Sequence, residues 1–250
     1  MAPSTGSHKR EGLCITVYGS SSVRTPAAYL RESTALGVGL AEGGHTCING
    51  AGWAGCMGAL NDGLQKAGGK VRGVIHKFWC VDGQEHPYIH PNDLVIVNGE
   101  GLQERKRALV DGAHAIICLP GGTGTYDELA EAISQKGTGF GFSPNIPVVC
   151  INVNGFFDGF RLQLQRAHDD GLLYKDPKES LHFVETAKEA LEWCIHKVQQ
   201  LQAEGKDPTT PYSTPFAGRG RKRLAAEVGA LEEDTTSAGL LPLHLFACTA

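Results

Sequence analysis

Apolar residues fall into two alternating kinds of run along this chain. Short unbroken ones, LCITVYG (13–19), HTCIN (45–49), KVRGVIHKF (70–78), DLVIVN (93–98), AIICL (115–119) and IPVVCINV (146–153), read as strands buried on both faces. Between them, amphipathic stretches at 25–44, 53–68, 102–113, 126–135, 156–173 and 185–203 read as helices, the first closed by Gly43 and Gly44. A short apolar piece, LHFV (181–184), separates the last two. WCVDGQEHPYIHPN (79–92) has no clear period and two prolines, and reads as a loop, a candidate flap over a site. GTGFGFSPN (137–145) is a Gly-rich loop.

This alternation predicts an α/β fold, a doubly wound, mostly parallel sheet with helices on both faces and right-handed crossovers. Ligands in such sheets bind at the carboxyl ends of the strands, where strand order reverses. The Gly-rich turns of this sequence fall at those ends.

The polar residues 1–12 read as a flexible N-terminus, 13–204 as one nucleotide-binding domain and 205–250 as a mobile tail with four prolines. The tail's basic cluster (Arg219, Arg221, Lys222, Arg223) fits a nuclear address, but a solvated charge run is the commoner meaning. Hydrophobic residues make up 41% of the 250 and charged ones 20%, so a packed core is expected. A net charge of -4 argues against a protein whose main work is gripping nucleic acid. No signal-peptide core follows residues 1–12 and no window approaches bilayer length, so the expected location is cytoplasmic, with no membrane partner. The eight cysteines form no CxxC pair and read as reduced thiols, several buried in strands.

LPGGTGTYDE (119–128) carries the chemistry. Gly121, Gly122 and Gly124 are expected to supply backbone angles closed to other residues and a close ligand approach. Free amides at the helix start, with the Thr123 and Thr125 hydroxyls, make an anion site suited to phosphate. No GK[ST] follows, so ATP hydrolysis is not inferred. Thr125 and Glu128 also fit a capping box, in which the glutamate only closes the helix. Asp127 beside an anion nest is harder to explain that way. Ser20, Ser21 and Ser22 in YGSSSVRTP (18–26) either donate to a phosphate or sugar or cap the next helix. In QERKR (103–107), Arg105 either lies on a solvated face or points into the crevice toward a phosphate or Glu128. NGAGWAGCMG (49–58) places Gly50, Gly52 and Gly55 at GxGxxG spacing. It follows the second strand, and Lys70, Arg72 and Lys77 occupy the region of the ribose-binding acid. That leaves an NADP-dependent oxidoreductase as the only dinucleotide version, ranked low against plain helix–sheet packing.

Taken together, these motifs resemble the LONELY GUY family of nucleoside 5′-monophosphate phosphoribohydrolases. PGGTGTYDE (120–128) fits its PGGxGTxxE signature, and ERK (104–106) stands at the family's position upstream. YGSSS (18–22) resembles its opening loop and NGAGWAGCMG (49–58) its GGGxxGxMG turn. The likeness runs from about 13 to 203. It implies a Rossmann-like homodimer that hydrolyses the N-glycosidic bond of a purine-type nucleotide, such as a cytokinin ribotide or AMP, with no metal and no cofactor. By carry-over, Glu128 and Arg105 are the catalytic pair. Gly121, Gly122, Thr123, Gly124 and Thr125 hold the 5′-phosphate, with Ser20, Gly52, Lys106, Asp127 and Ser134 near the nucleotide. The family has been labelled lysine decarboxylase, but nothing here resembles a pyridoxal-phosphate lysine site. The sequence departs from the family at Ala51, at Leu102-Gln103, at 134–145 and in the flap, all expected around the base. The alternative from another class is a non-catalytic carrier of a nucleotide or of molybdenum cofactor, which would not need both Arg105 and Glu128.

Overall fold

The computed structural model describes residues 12–80, 85–138, 143–173 and 175–209. Seven strands make one sheet: β1 (Cys14–Tyr18), β2 (Thr46–Asn49), β3 (Lys70–His76), β4 (Leu94–Val97), β5 (Ala115–Cys118), β6 (Val148–Ile151) and β7 (His182–Val184). Their order is β4-β3-β2-β1-β5-β6-β7, and every neighbouring pair is parallel. The chain winds outward from β1 to β4, then returns to β1's other side to start β5. Strand order therefore reverses between β1 and β5, which opens a crevice at their carboxyl ends. The short apolar piece at 181–184 supplies β7, the edge strand.

Both faces of the sheet are covered, as unbroken apolar strands require. Ile15 and Val17 of β1 pack with Leu36 and Leu40 of α1 (Ala27–Glu42), Leu60 and Leu64 of α2 (Gly55–Lys66), and Cys194 and Val198 of α8 (Ala187–Ala203). On the opposite face Ile48, Val74, Ile116 and Val148 pack with Leu109 of α4 (Gln103–Val110), Leu129 and Ala132 of α5 (Thr123–Thr138), and Phe157 before α6 (Asp158–Asp169). The seven described cysteines are all free thiols, and Cys47, Cys118, Cys150 and Cys194 are buried in these two cores.

Three stretches depart from the sequence reading. Trp79 and Cys80 are not loop but the end of a short helix, α3 (Lys77–Cys80), and a 3-10 turn spans Pro91–Asp93. Residues 81–84 of the expected flap lie outside the described residues. A further helical turn, α7 (Pro177–Ser180), starts on Asp176, whose carboxylate accepts from the Lys178 amide. Past α8, Gly205 takes a left-handed φ of 68° and Pro208 is buried. The Ser143 hydroxyl donates to the Asp207 carbonyl at 3.1 Å, so ordered packing runs to 209 rather than stopping at 204. Residues 1–11 and 210–250, and the basic cluster with them, lie outside the described residues. Among the described residues no helix is long and apolar enough to cross a membrane.

Helices α1 and α2 approach so closely that glycines must face each backbone. A Cβ on Gly37 would stand 2.2 Å from the Leu60 carbonyl oxygen, and one on Gly63 would stand 2.3 Å from that of Thr34. Because α2 carries the turn after β2 at its start, this contact also sets the height of one wall of the crevice. Replacing Gly37 with Ala is expected to force the helices apart and cost about 1–3 kcal/mol in urea unfolding. An unchanged midpoint and slope would show that the helices separate freely there.

Candidate active site

Three strand-end turns meet at the crevice. After β1, the Ser20 amide donates to the Pro120 carbonyl (3.0 Å), and the Ser20 carbonyl accepts from the Met57 amide (3.1 Å). The β1 turn is thus clamped between the turns that follow β2 and β5. Gly55 completes the clamp: its φ is 63°, and a Cβ there would lie 2.5 Å from the Ser20 carbonyl oxygen. The Ser20 hydroxyl is paired with Thr25 Oγ1 at 2.8 Å and accepts from the Ser22 amide, so it is already engaged in shaping its own turn.

The turn after β2 is built on a buried amide pair. Asn49 Nδ2 donates to Asn61 Oδ1 (2.8 Å), while Asn49 Oδ1 accepts from the Ala51 amide (2.8 Å). These bonds hold Ala51 at φ 63°, in the left-handed region where alanine is strained. The glycines flanking it serve packing. A Cβ on Gly50 would collide with the Arg105 guanidinium (2.3 Å from Nη2), and one on Gly52 with Met57 (2.8 Å). The GxGxxG spacing therefore accommodates side chains of this chain, and it sits one strand away from the reversal point where a dinucleotide fingerprint belongs.

In the turn after β5 two expectations are corrected. First, Gly121, Gly122 and Gly124 are not among the residues with positive φ, so their value is close approach rather than unusual backbone angles. A Cβ on Gly121 would lie 2.1 Å from Thr125 Oγ1, so only glycine lets that buried hydroxyl tuck under the turn. At Gly122 and Gly124 a Cβ would meet nothing within 4 Å, so the backbone lies bare toward the crevice. Second, α5 starts at Thr123, not after Thr125, and the Tyr126 amide donates to the Gly122 carbonyl (3.1 Å). The earlier start places Thr125 inside the first turn, so no Thr125–Glu128 capping box forms. The first-turn amides of Thr123, Gly124 and Thr125 have no intrahelical acceptor and carry the positive end of the helix dipole.

Freed from capping, Glu128 accepts from Arg105: Nη1 to Oε1 is 3.2 Å, with both side chains only 12–13% exposed. Arg105 is fixed on its other sides. Its Nε donates to the Val74 carbonyl (3.2 Å), its Nη2 to the Gly50 carbonyl (3.4 Å), and its guanidinium carbon lies 5.4 Å from the centre of the Trp79 ring. Burial pushes the Glu128 carboxyl up to about 7, with Arg105 opposing and the charge of Asp127 adding to the rise. Beside this pair, Lys106 Nζ meets Glu131 at 2.6 Å and Asp127 at 3.1 Å. Burial works against the Lys106 charge, but the two carboxylates outweigh it and hold its pKa above the ordinary value. The ERKR run is therefore no solvated face where it matters: Lys106 is 9% exposed.

Comparisons with known proteins supply the family. A family model described as possible lysine decarboxylase matches residues 57–194. A cytokinin riboside 5′-monophosphate phosphoribohydrolase of Mycobacterium tuberculosis (strain ATCC 25618 / H37Rv) is 33% identical over 72% of this chain and 92% of its own length. The rice enzyme of the same name, LOG of Oryza sativa subsp. japonica, is 32% identical over 70% of this chain and 69% of its own. The chain belongs to the LONELY GUY family. Solved structures with the same fold include the molybdenum cofactor binding protein of Rippkaea orientalis (TM-score 0.55, 19% identity, 75% of this chain and 98% of that one). The molybdenum cofactor carrier protein of Chlamydomonas reinhardtii is another (TM-score 0.51, 23% identity, 77% and 99%). At those identities the likeness is one of fold alone.

Against the LONELY GUY signature, the cleft gathers most of the residues singled out from sequence. It has a volume of about 770 Å³, within the range of small-ligand pockets, and Ser20, Gly52, Arg105, Lys106, Asp127 and Glu128 line it. Gly122, Thr123, Gly124 and Thr125 line it as well. Gly121 and Ser134 do not: Gly121 backs onto Thr125, and Ser134 lies farther along α5. Sequence reasoning missed Glu131, the second anchor of Lys106, and an apolar wall made by Trp53, Met57, Ile75, Trp79 and Leu102. Trp53 is half exposed, and its motif gave no sign that the ring turns outward. Trp79 could have been found only by extending the third strand into a helix.

The raised carboxyl has a stability consequence with a definite sign. Glu128 releases its proton at about 7 in the fold against 4.5 for an unperturbed glutamate. Between those values the folded chain holds more protons than the unfolded one. The contribution is therefore fully present below the unfolded pKa and lost as pH rises through the folded one. Urea unfolding is expected to show a loss of up to about 3 kcal/mol from this group between about pH 4.5 and 8. Glu128→Gln should lack that component; parallel pH profiles for the two proteins would show that the carboxyl titrates normally.

Proposed function

We propose that the protein hydrolyses the N-glycosidic bond of purine nucleoside 5′-monophosphates, cytokinin ribotides or AMP, to give the free base and ribose 5-phosphate. The observation that carries this reading is the buried Arg105–Glu128 pair standing one helical turn from an open, glycine-bared helix start in the same cleft. The family relatives named as phosphoribohydrolases support it.

In this reading the 5′-phosphate sits against the first-turn amides of α5 with the Thr123 and Thr125 hydroxyls, at the positive end of the helix. That anchoring supplies the positioning. The sugar then lies toward Glu128 and the base toward the wall of Trp53, Met57 and Trp79. As the C1′–N bond breaks, its electron pair leaves with the base, which takes up a proton, and positive charge builds on the sugar as in glycoside hydrolysis. The ionised Glu128 stabilises that charge, orients water onto C1′ and accepts the proton that water gives up. A carboxyl poised at about 7 suits a base that must take and return a proton near neutrality. Arg105 fixes the carboxylate's direction. Lys106 pairs with Asp127 and Glu131 and so offsets part of the negative charge beside the anion nest. By family pattern the working form is a homodimer.

Incubation with AMP and with isopentenyladenosine monophosphate, followed by detection of free base, tests the proposal. Turnover is expected to fall by about 10²–10⁴-fold in Glu128→Gln and to fall strongly in Arg105→Ala. Thr125→Val should mainly raise KM. Tight binding without base release by the wild-type protein would replace hydrolysis by a carrier role.

A further inference from the structure

A second recess of about 310 Å³ opens at the other end of the sheet. It lies where β6 and β7 begin, at Val148 and His182, away from the carboxyl ends that form the cleft. Its chemistry comes from three lysines on three elements: Lys136 of α5, Lys178 of α7 and Lys197 of α8. Among the described residues none of the three has a carboxylate within ion-pair distance. The Lys136 ammonium donates to the Ser180 carbonyl at 3.3 Å, and Lys197 donates to Gln200 Oε1 at 3.1 Å. Each ammonium has three donors, so both keep donors to spare. The one carboxylate among the lining residues, Glu179, belongs to an exposed residue, as does Lys178 beside it. His182 stacks on Trp193 at 4.6 Å, closing one side with a flat polar-edged surface.

We infer that this recess is a second anion site, which takes a small phosphate-bearing ligand. Holding the partly buried Lys136 and Lys197 together, with the exposed Lys178 beside them and no counter-charge, is unfavourable, and one multiply charged anion that they share relieves it. A phosphate dianion offers enough acceptors for donors arriving from α5, α7 and α8 at once. The recess lies near the lower end of small-ligand volumes, which suits orthophosphate or a sugar phosphate rather than a whole nucleotide.

The state of Lys136 agrees. Burial pulls its ammonium down to about 8, and the charges of Lys175 and Lys197 add to the fall. Lys178, Glu179 and His182 complete the titratable groups facing the recess, and burial likewise lowers His182. An anion seated there returns Lys136 to its charged form, so binding near pH 8 takes up a proton.

The site stands independently of the hydrolase reading. The test is calorimetric titration of the full chain at about pH 8 with inorganic phosphate and, separately, ribose 5-phosphate, each in two buffers of different ionisation heat. Binding with proton uptake is expected, with both the uptake and at least ~10-fold in affinity lost in Lys136→Met. The ligand that binds more tightly identifies the source. Identical heats and uptake in wild type and Lys136→Met overturn the site. Should Lys136→Met not fold, the Trp193 indole resonance decides. A shift with phosphate that weakens in Lys197→Met supports the site, and no shift in the wild type overturns it.

Discussion

One guanidinium holds the centre of this molecule. Arg105 comes from the first turns of α4 and reaches the carbonyl that ends the turn's first residue after β2, a carbonyl within β3, the ring of α3's tryptophan and the carboxylate on α5. Five separate pieces of chain thus agree on the place of a single planar cation. Arginine suits this because its donors lie in a fixed plane and its faces accept an aromatic ring, whereas a lysine could satisfy only part of the set. The demand spreads outward. Gly50 has no side chain because Nη2 occupies its space, and Ala51 beside it bends into a left-handed conformation that buried Asn49 and Asn61 must hold. Strain of this kind persists only where the surroundings over-determine it.

The two neighbouring cations of α4 do different work with the same kind of partner. Lys106 meets two carboxylates, Asp127 and Glu131, and keeps its charge firmly. Arg105 meets one, Glu128, whose burial leaves its proton poised near neutrality despite the cation beside it. This division resolves a puzzle in the turn sequence. Asp127 next to an anion-binding helix start would repel a phosphate, but Lys106 spans from α4 to pair with it while also meeting Glu131, which weakens that repulsion. What faces the crevice is then the helix start's positive end, the paired Lys106 and Asp127, and one carboxyl that can change its charge.

Much of the fold was legible because its signals are local and strong. Unbroken apolar runs can be buried strands or buried helix segments, but at four to seven residues between turn signals they are strands, and six of the seven were readable on that basis. The strand at His182–Val184 is three residues long and half-buried, too short to show a pattern. The turn after β5 was legible as an anion nest but misread in detail. Thr-x-x-Glu is a capping box only if the threonine stands outside the helix, and here the helix begins two residues earlier, on Thr123, with Gly122 before it. Propensity rules place glycine outside helices, whereas Gly124 lies within the first turn because the crevice needs backbone without side chain there. Arg105 could not be told from its solvated neighbours by spacing, since its burial depends on residues 31 and 55 positions away. Ser134 was carried over from a motif and lies beyond the cleft.

The fold itself does not distinguish holding a nucleotide from cleaving one. The molybdenum cofactor binding protein of Rippkaea orientalis and the carrier protein of Chlamydomonas reinhardtii share this architecture at 19% and 23% identity, and a glycine turn at a helix start is sufficient to hold a phosphate. Cleavage asks for something further: a group of negative charge placed where the sugar becomes positive and kept out of water so that the charge counts. Burial makes that group effective and also makes it reluctant to ionise. A nearby cation restores ionisation but, brought too close or left too mobile, would quench the charge it preserves. In this chain the compromise is geometric. Arg105 takes a single contact with one oxygen of Glu128 and spends its remaining donors on backbone carbonyls. A bidentate clamp would have engaged both oxygens; the contact here is to Oε1. In the proposed reaction, the number of backbone anchors on the arginine would thus matter as much as the presence of the arginine.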